Sequence, residues 1–140
     1  MWRLWFKRKK YVSGKLQVSL RYPARWKMTE EDRFVGEDGF FQLSAAGPGE
    51  STLAEVCRNE AYHALKPYGT KPLVKRTRHR RQDACLILPG IDQPREMRGQ
   101  AAFLIQYPQA VTIGGQTYRF LVLWADKRHI QELADTIRFV

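Results

Sequence analysis

The sequence predicts an α+β fold in which two main helices cover a central antiparallel sheet of about six strands. The first observation is the closing pattern of the chain. Two apolar runs, residues 99–107 and 118–124, flank a turn signal at residues 113–116, as in a β-hairpin. The second is the helical spacing of the apolar residues that follow, namely Ile130, Leu133, Ala134 and Ile137. The third is that the predicted strands mainly follow one another directly, which disfavours a doubly wound parallel sheet.

The first elements of the domain are predicted to be strands. Residues 16–22 alternate between apolar and polar side chains, which indicates a half-buried strand, and Pro23 ends it. Residues 27–33 are predicted to form a polar loop. A turn at residues 36–39 then leads into a second strand over residues 40–45, which Gly47-Pro-Gly49 closes.

A capping box marks the start of the first helix. Thr52 and Glu55 have the spacing at which each side chain accepts a hydrogen bond from a backbone N–H of the other. Pro67 is expected to stop the helix near Lys66. The apolar stripe of this helix consists of Leu53, Val56, Cys57, Ala61, Ala64 and Leu65.

The middle of the chain predicts a pair of strands, residues 74–79 and 84–88, around a turn at residues 80–83. Residues 89–96 are predicted to form a loop with two prolines. Asp126 is predicted to be the N-cap of the last helix, because its carboxylate can accept from unsatisfied N–H groups at the positive end of the helix dipole.

Length and composition fit one globular domain of 140 residues. We divide the chain into residues 1–15, a basic aromatic tail or first edge segment, and residues 16–140, the domain. In the tail, Trp2, Leu4, Trp5 and Phe6 could pack on the domain while residues 7–10 stay solvated. The net charge of +10 favours anionic partners, and it is concentrated in residues 1–10 and 71–81.

The sequence contains no apolar run of about 18 residues and therefore predicts no transmembrane segment. The first ten residues do not resemble a signal peptide, because their charges follow the apolar residues. The prediction is a cytoplasmic protein, with a peripheral position on a membrane as an alternative and export left open for a longer chain. Cys57 and Cys85 are predicted to be buried free thiols, and a disulfide between them is the alternative.

Several short motifs resemble Mog1/PsbP-like domains over about residues 16–140. These are the Tyr-Pro-x-x-Trp pattern at residues 22–26, the strand at residues 36–45, and the Thr-x-x-Phe ending at residues 136–139. The resemblance implies an α/β/α sandwich around a central antiparallel sheet. It implies little about activity, since that superfamily includes photosystem accessory proteins, a binder of a small GTPase and many bacterial domains of unknown role.

The sequence motifs predict no catalytic residues, no metal site and no cofactor. His63, His79 and His129 are scattered, and neither His-Glu-x-x-His nor Cys-x-x-Cys occurs. There is no nucleophile elbow and no phosphate-binding loop. Asp126 and His129 are three residues apart and could touch, and a helix cap with a surface histidine explains them. The sequence therefore predicts that the protein is not an enzyme.

The basic run at residues 75–81 is the one charge feature above background. On a strand, Arg76, Arg78 and Arg80 would share one face, and Lys75, His79 and Arg81 would share the other. Because both faces carry charge, we predict an edge strand. One interpretation is that these charges protect the edge from aggregation. The other is a binding site for nucleic acid or an anionic membrane, with Lys71 added to the set.

The motifs and the charge distribution predict one of two functions. The first is a non-catalytic interaction or accessory domain that binds a protein partner through loops containing Trp26, Tyr68, Asp92 and Gln93. The alternative is a polyanion-binding module that uses residues 71–81, and binding of this kind weakens steeply with salt.

Overall fold

The computed structural model describes residues 7–48 and 51–140, which form ten strands and two helices. In the first part of the chain these are β1 (Arg8–Ser13), β2 (Val18–Pro23), β3 (Lys27–Glu30), β4 (Arg33–Gly36), β5 (Gly39–Pro48) and α1 (Leu53–Ala61). The second part contains β6 (Leu73–His79), β7 (Gln82–Leu88), a short 3-10 turn (Arg95–Met97), β8 (Gln100–Ile113), β9 (Gln116–Asp126), α2 (Ile130–Asp135) and β10 (Arg138–Phe139).

The strands form two antiparallel sheets. The larger has seven strands in the order β3-β4-β5-β9-β8-β7-β6, and the smaller has the order β1-β2-β10. The prediction of an antiparallel α+β fold is therefore confirmed, and the prediction of about six strands in the central sheet is corrected to seven. Most neighbours in the large sheet are joined by hairpins, whereas α1 connects β5 to the opposite edge.

Each face of the large sheet has its own core. Along β9, Phe120, Val122 and Trp124 point to α1, and Leu121 and Leu123 point to the other side, as the pleat of a strand requires. On that second side the covering layer contains α2 together with the small sheet, which contributes Val18, Leu20 and Tyr22 of β2. The layer that the resemblance implied to be helical is thus partly β.

The region predicted as a polar loop at residues 27–33 is instead the hairpin of β3 and β4. All four residues of β3 are exposed, because this strand lies at the edge of the large sheet. A strand whose side chains are all solvated shows no alternation of apolar and polar residues, and the sequence pattern therefore concealed it.

The segment of residues 1–15 contains β1, an edge strand that pairs with β2 along its whole length. Residues 7–10 are exposed, as expected for their charges. The predicted packing of Trp2, Leu4, Trp5 and Phe6 lies outside the described residues, as does the end of the Gly47-Pro-Gly49 turn.

The capping box at the start of α1 is confirmed, with Thr52 and Glu55 hydrogen-bonded to each other's backbone N–H groups. The helix ends at Ala61, earlier than predicted, and Ala64 and Leu65 are exposed beyond it. The early end lets the chain fold back so that the hydroxyl of Tyr68 reaches the carboxylate of Glu60 on α1.

Cys57 and Cys85 form a disulfide between α1 and β7, so the prediction of free thiols is wrong. Both residues are buried, as predicted. Sequence spacing could not have shown the bond, because it depends on α1 lying directly over β7.

Candidate functional site

The basic strand β6 lies at the edge of the large sheet, as predicted. Its register with β7 sets the direction of each side chain. Arg76 is paired with the core residue Cys85 and Arg78 with Asp83, so both arginines project on the face that carries α1. Lys75 is directed to the opposite face, which is covered by α2 and the small sheet.

The cationic side chains of this edge are exposed, and little negative charge lies close enough to neutralise them. Within residues 7–48 and 51–140, the one ion pair they form joins Arg78 and Asp83, with nitrogen and oxygen 3.7 Å apart. The surface that we call the basic edge consists of Lys71, Lys75, Arg76, Arg78, Arg80 and Arg81, all of them exposed. It therefore presents a concentrated positive potential to solvent.

Arg80 and Arg81 form the turn of the β6–β7 hairpin, so Arg80 does not continue the strand face of Arg76 and Arg78 as predicted. Both turn residues have left-handed backbones, with φ of 50° and 74°. A guanidinium N–H of Arg78 donates to the carbonyl of Arg81 at 2.7 Å and helps to close the turn. The turn is shorter than the predicted residues 80–83.

A cavity of about 340 Å³ separates the start of α1 from β6. Two guanidinium groups line it, those of Arg76 on β6 and Arg119 on β9, and Asp83 lies among the lining residues. Sequence reasoning missed Arg119, because a single arginine on a predicted strand gives no local signal. The other lining residues are Ser51, Thr52, Leu53, Ala54, Gln106 and Phe120.

His79 has a structural position on the face away from α1. One ring nitrogen lies 2.8 Å from the carbonyl oxygen of Ile137, and the ring meets Phe103 edge to face. This contact ties the end of β6 to the segment between α2 and β10.

Trp26, one of the predicted partner-binding residues, is buried with 2% of its surface exposed. Its indole N–H donates to Asp38 in the β4–β5 turn at 2.9 Å. Burial opposes ionisation of Asp38, but the hydrogen bond from Trp26 and the pair with Arg25 outweigh it and hold the pKa of Asp38 below its usual value.

Asp126 and His129 touch, with Nδ1 of His129 2.6 Å from a carboxylate oxygen. The other carboxylate oxygen accepts from the N–H of Phe40 at 3.1 Å, so Asp126 fastens β9 to β5. The prediction of Asp126 as an N-cap is wrong, because α2 begins at Ile130 and its cap position is His129, three residues after Asp126. Asp38 lies 3.7 Å from the second ring nitrogen of His129. His129 thus bridges two carboxylates and is not the surface histidine predicted.

Tyr68 is completely buried, and its hydroxyl donates to Glu60 at 2.5 Å. The indole N–H of Trp124 donates to the same oxygen at 2.9 Å. Burial, followed by the neighbouring carboxylate, raises the pKa of Tyr68 far above its usual value. Glu60 therefore joins α1, the following loop and β9.

Asp92 and Gln93 organise the loops at one end of the large sheet. The carboxylate of Asp92 accepts from the backbone N–H and the hydroxyl of Thr70, and these bonds lower its pKa. The amide of Gln93 donates to the carbonyls of Pro67 and Gln100 and accepts from the N–H of Gly99. Asp92 is exposed, whereas Gln93 is half-buried. A role for these loops in binding a partner stays a prediction.

The described residues contain no group of three or more His, Cys, Asp or Glu side chains placed to hold a metal ion. Among the same residues, no helix is long and apolar enough to cross a membrane.

The geometry defines an antiparallel α+β sandwich with a basic edge beside a small arginine-lined cavity. The chain matches the solution structure of cyanobacterial PsbP (CyanoP) from Synechocystis sp. PCC 6803, with a TM-score of 0.50. The two sequences are 12% identical, and the match covers 95% of this chain and 92% of the other. The protein thus has a PsbP-like fold, which confirms the predicted resemblance to that fold. No family model and no curated protein matches the chain.

Proposed function

We propose that this protein is a non-catalytic accessory domain whose basic edge binds a linear polymer carrying phosphate or sulfate groups. Support for an accessory role comes from the PsbP-like fold together with the position of its polar groups. Asp126, His129, Glu60 and Gln93 each hold elements of the fold together, and none of them lines the cavity beside α1.

The observation that carries the binding proposal is the conformation of the hairpin turn. Left-handed backbone at a residue other than glycine, asparagine or aspartate costs roughly 1–2 kcal/mol, and Asn-Gly is the favoured pair for such turns. Arg80 and Arg81 occupy both left-handed positions. Charged side chains on β6 itself are enough to protect this sheet edge from aggregation. That explanation does not extend to the two arginines in the turn.

The charge also has the right form for a polymer. Alternate side chains of a strand are about 7 Å apart, and β6 with its turn extends the cations over roughly 20 Å or more. Anionic groups repeated along a chain could therefore neutralise several of them at once. The protein-partner hypothesis has less support from the surface, because Trp26 and Tyr68 are buried.

The test is salt-dependent binding to heparin and to double-stranded DNA by the full chain. Replacing Arg76, Arg78 and Arg80 by Ser should elute the protein from heparin at clearly lower salt and flatten the dependence of DNA affinity on salt. The matched control replaces three exposed cations elsewhere, Arg95, Arg98 and Lys127, by Ser. Equal losses in both triple variants would show only an effect of net charge, and the proposal would fail. Binding to anionic vesicles without binding to either polymer would also contradict it.

The disulfide bears on where the domain works. A bond between Cys57 and Cys85 persists in oxidising compartments and is rare in the cytosol. We therefore propose that the domain works in an oxidising compartment, in contrast to the cytoplasmic prediction. Alkylation of the protein from its native host under denaturing conditions, without prior reduction, should leave both cysteines unmodified. Modification of both would support the cytoplasm.

A further inference from the structure

Arg119 owes its position to an irregularity in the large sheet. The pairing of β8 with β9 shifts register between Gln106 and Val111. Across this shift Tyr118 packs against one core and Phe120 against the other, although residues two apart in a regular strand share a face. The distortion brings the side chain of Arg119, which lies between them, to the cavity beside α1.

Arg119 is half-buried, and within the described part of the chain no carboxylate lies within ion-pair distance of it. Arg76 is exposed, and it too has no carboxylate within ion-pair distance among the described residues. A guanidinium group that is partly removed from water without a partner, as in Arg119, is costly. Together with the exposed guanidinium of Arg76, it makes this cavity a favourable place for an anion.

The remaining charge at the cavity does not cancel this preference. Asp83 lines the cavity, but its carboxylate is 3.7 Å from Arg78 and is balanced by that side chain. The four lining positions at the start of α1 are uncharged: Ser51, Thr52, Leu53 and Ala54. With Arg76 and Arg119 added, the cavity carries about two net positive charges.

Guanidinium groups bind tetrahedral oxyanions through two parallel N–H···O bonds, which adds direction to the charge attraction. A cavity of about 340 Å³ has room for such an anion and part of the group attached to it. Leu53 and Phe120 supply apolar walls for that attached part.

We propose that this cavity binds one phosphate or sulfate ester group, held by the guanidinium groups of Arg76 and Arg119. The inference rests on the proposed function, because the cavity is the site at which one ester group of the polymer bound along the basic edge is held. The rest of the basic edge contributes charge without a defined geometry.

The test measures inorganic phosphate and inorganic sulfate binding to the full chain by NMR titration of backbone amides. We expect the largest shifts at residues 51–54 and 119–120. Arg119→Gln should weaken phosphate binding at least tenfold. Arg119→Lys should give an intermediate loss, because it keeps the charge but not the paired donors. Unchanged amide spectra away from the cavity verify that both variants are folded.

Two control variants separate this inference from the proposed function. The double variant Arg80→Gln and Arg81→Gln should elute earlier from heparin yet bind phosphate as the wild type does. Glu50→Gln removes a negative charge one residue before the cavity lining and should leave phosphate affinity equal or higher. A fall in affinity in Glu50→Gln would contradict the proposed site.

The outcomes are distinguishable. Phosphate binding that is absent, or that is insensitive to Arg119→Gln, would overturn the cavity site while leaving polymer binding along the edge intact. Loss of phosphate binding in Arg119→Gln, in a protein that binds neither heparin nor DNA, would support the cavity and overturn the proposed polymer. Comparison of sulfated heparin with phosphate-bearing DNA then identifies which ester is the better ligand.

Discussion

Trp26 shows how single residues fix the geometry of this fold. Its ring packs on the backbone of the β4–β5 hairpin, where a Cβ added at Gly36 would overlap the indole. A Cβ at Gly39 would overlap the same ring and the Asp126–His129 pair. The absence of side chains at both glycines is therefore what admits the tryptophan into the core.

Gly36→Ala is expected to destabilise the protein by about 1–3 kcal/mol, because a buried and hydrogen-bonded indole has to shift. The matched control is Gly14→Ala, where nothing lies within 4 Å of the added Cβ. That change should be close to neutral. Urea unfolding followed by tryptophan fluorescence measures both, and equal effects would show that the packing argument is wrong.

Tyr11 donates its hydroxyl to the buried carboxylate of Asp32 at 2.6 Å. Burial and this hydrogen bond raise the pKa of Tyr11 to about 12 from an ordinary value near 10. The folded state therefore holds the phenol proton more tightly than the unfolded state does. The corresponding stability is complete below pH 10 and is lost as the pH rises through 12.

We accordingly expect the unfolding free energy of the wild type to fall between pH 10 and pH 12. Tyr11→Phe should lower stability at pH 7 by about 1–3 kcal/mol, since Asp32 loses a donor. The same variant should also show a shallower decline above pH 10. Denaturation at pH 8, 10 and 11.5 checks both effects. A decline as steep as in the wild type would exclude Tyr11 as a contributor.

At the scale of elements, the turn of the β6–β7 hairpin has two arginines at left-handed positions that other residues would occupy at a lower cost in free energy. Replacing Arg80-Arg81 by Asn-Gly supplies residues suited to two consecutive left-handed positions. We expect a gain of about 0.5–1 kcal/mol in stability, together with earlier elution from heparin. A destabilised variant would mean that the turn arginines make contacts needed by the fold.

The disulfide fastens α1 to β7 and closes a loop with a sequence separation of 28. The chain-entropy relation gives about 3–4 kcal/mol for a loop of this size. The double variant Cys57→Ala and Cys85→Ala should lose stability of that order. Reductant should destabilise the wild type but not the variant. An equal response of both proteins to reductant would contradict a bond in the folded state.

The elements that sequence patterns predicted well are those with one buried face. The strands of the β8–β9 hairpin and the capping box of α1 combine local turn or cap residues with regular apolar spacing, and both were found where expected. The exposed strand β3 has no such spacing. The contacts of Asp38 and Arg119 arise from distant parts of the chain, so local patterns contained no information about them.

For the molecule as a whole, two cores on opposite faces of one sheet explain the order of layers. The small sheet is the layer that depends most on the end of the chain, because β10 pairs with β2 through Arg138 and Phe139. Phe139 also packs on Tyr107 of β8. The last residues therefore connect both sheets.

Removal of residues 138–140 is expected to leave one edge of β2 unpaired and to uncover Tyr107. The truncated protein should be less stable and should self-associate, because an uncovered strand edge pairs readily with another chain. Urea unfolding and size-exclusion chromatography over a range of concentrations test this. Phe139→Ala serves as a control, which should lose stability without associating. A truncated protein that stays monomeric would show that β10 does not protect that edge.

The pairing of Arg138 with Ser19 has a consequence for the order in which the molecule assembles. On the ribosome, the hairpins β6–β7 and β8–β9 can form from neighbouring residues as they emerge. The second edge of β2 has to wait until Arg138 and Phe139, more than a hundred residues further along the chain, have been translated. Closing so long a loop is slow, and we infer that the seven-stranded layer precedes the three-stranded one during biosynthesis.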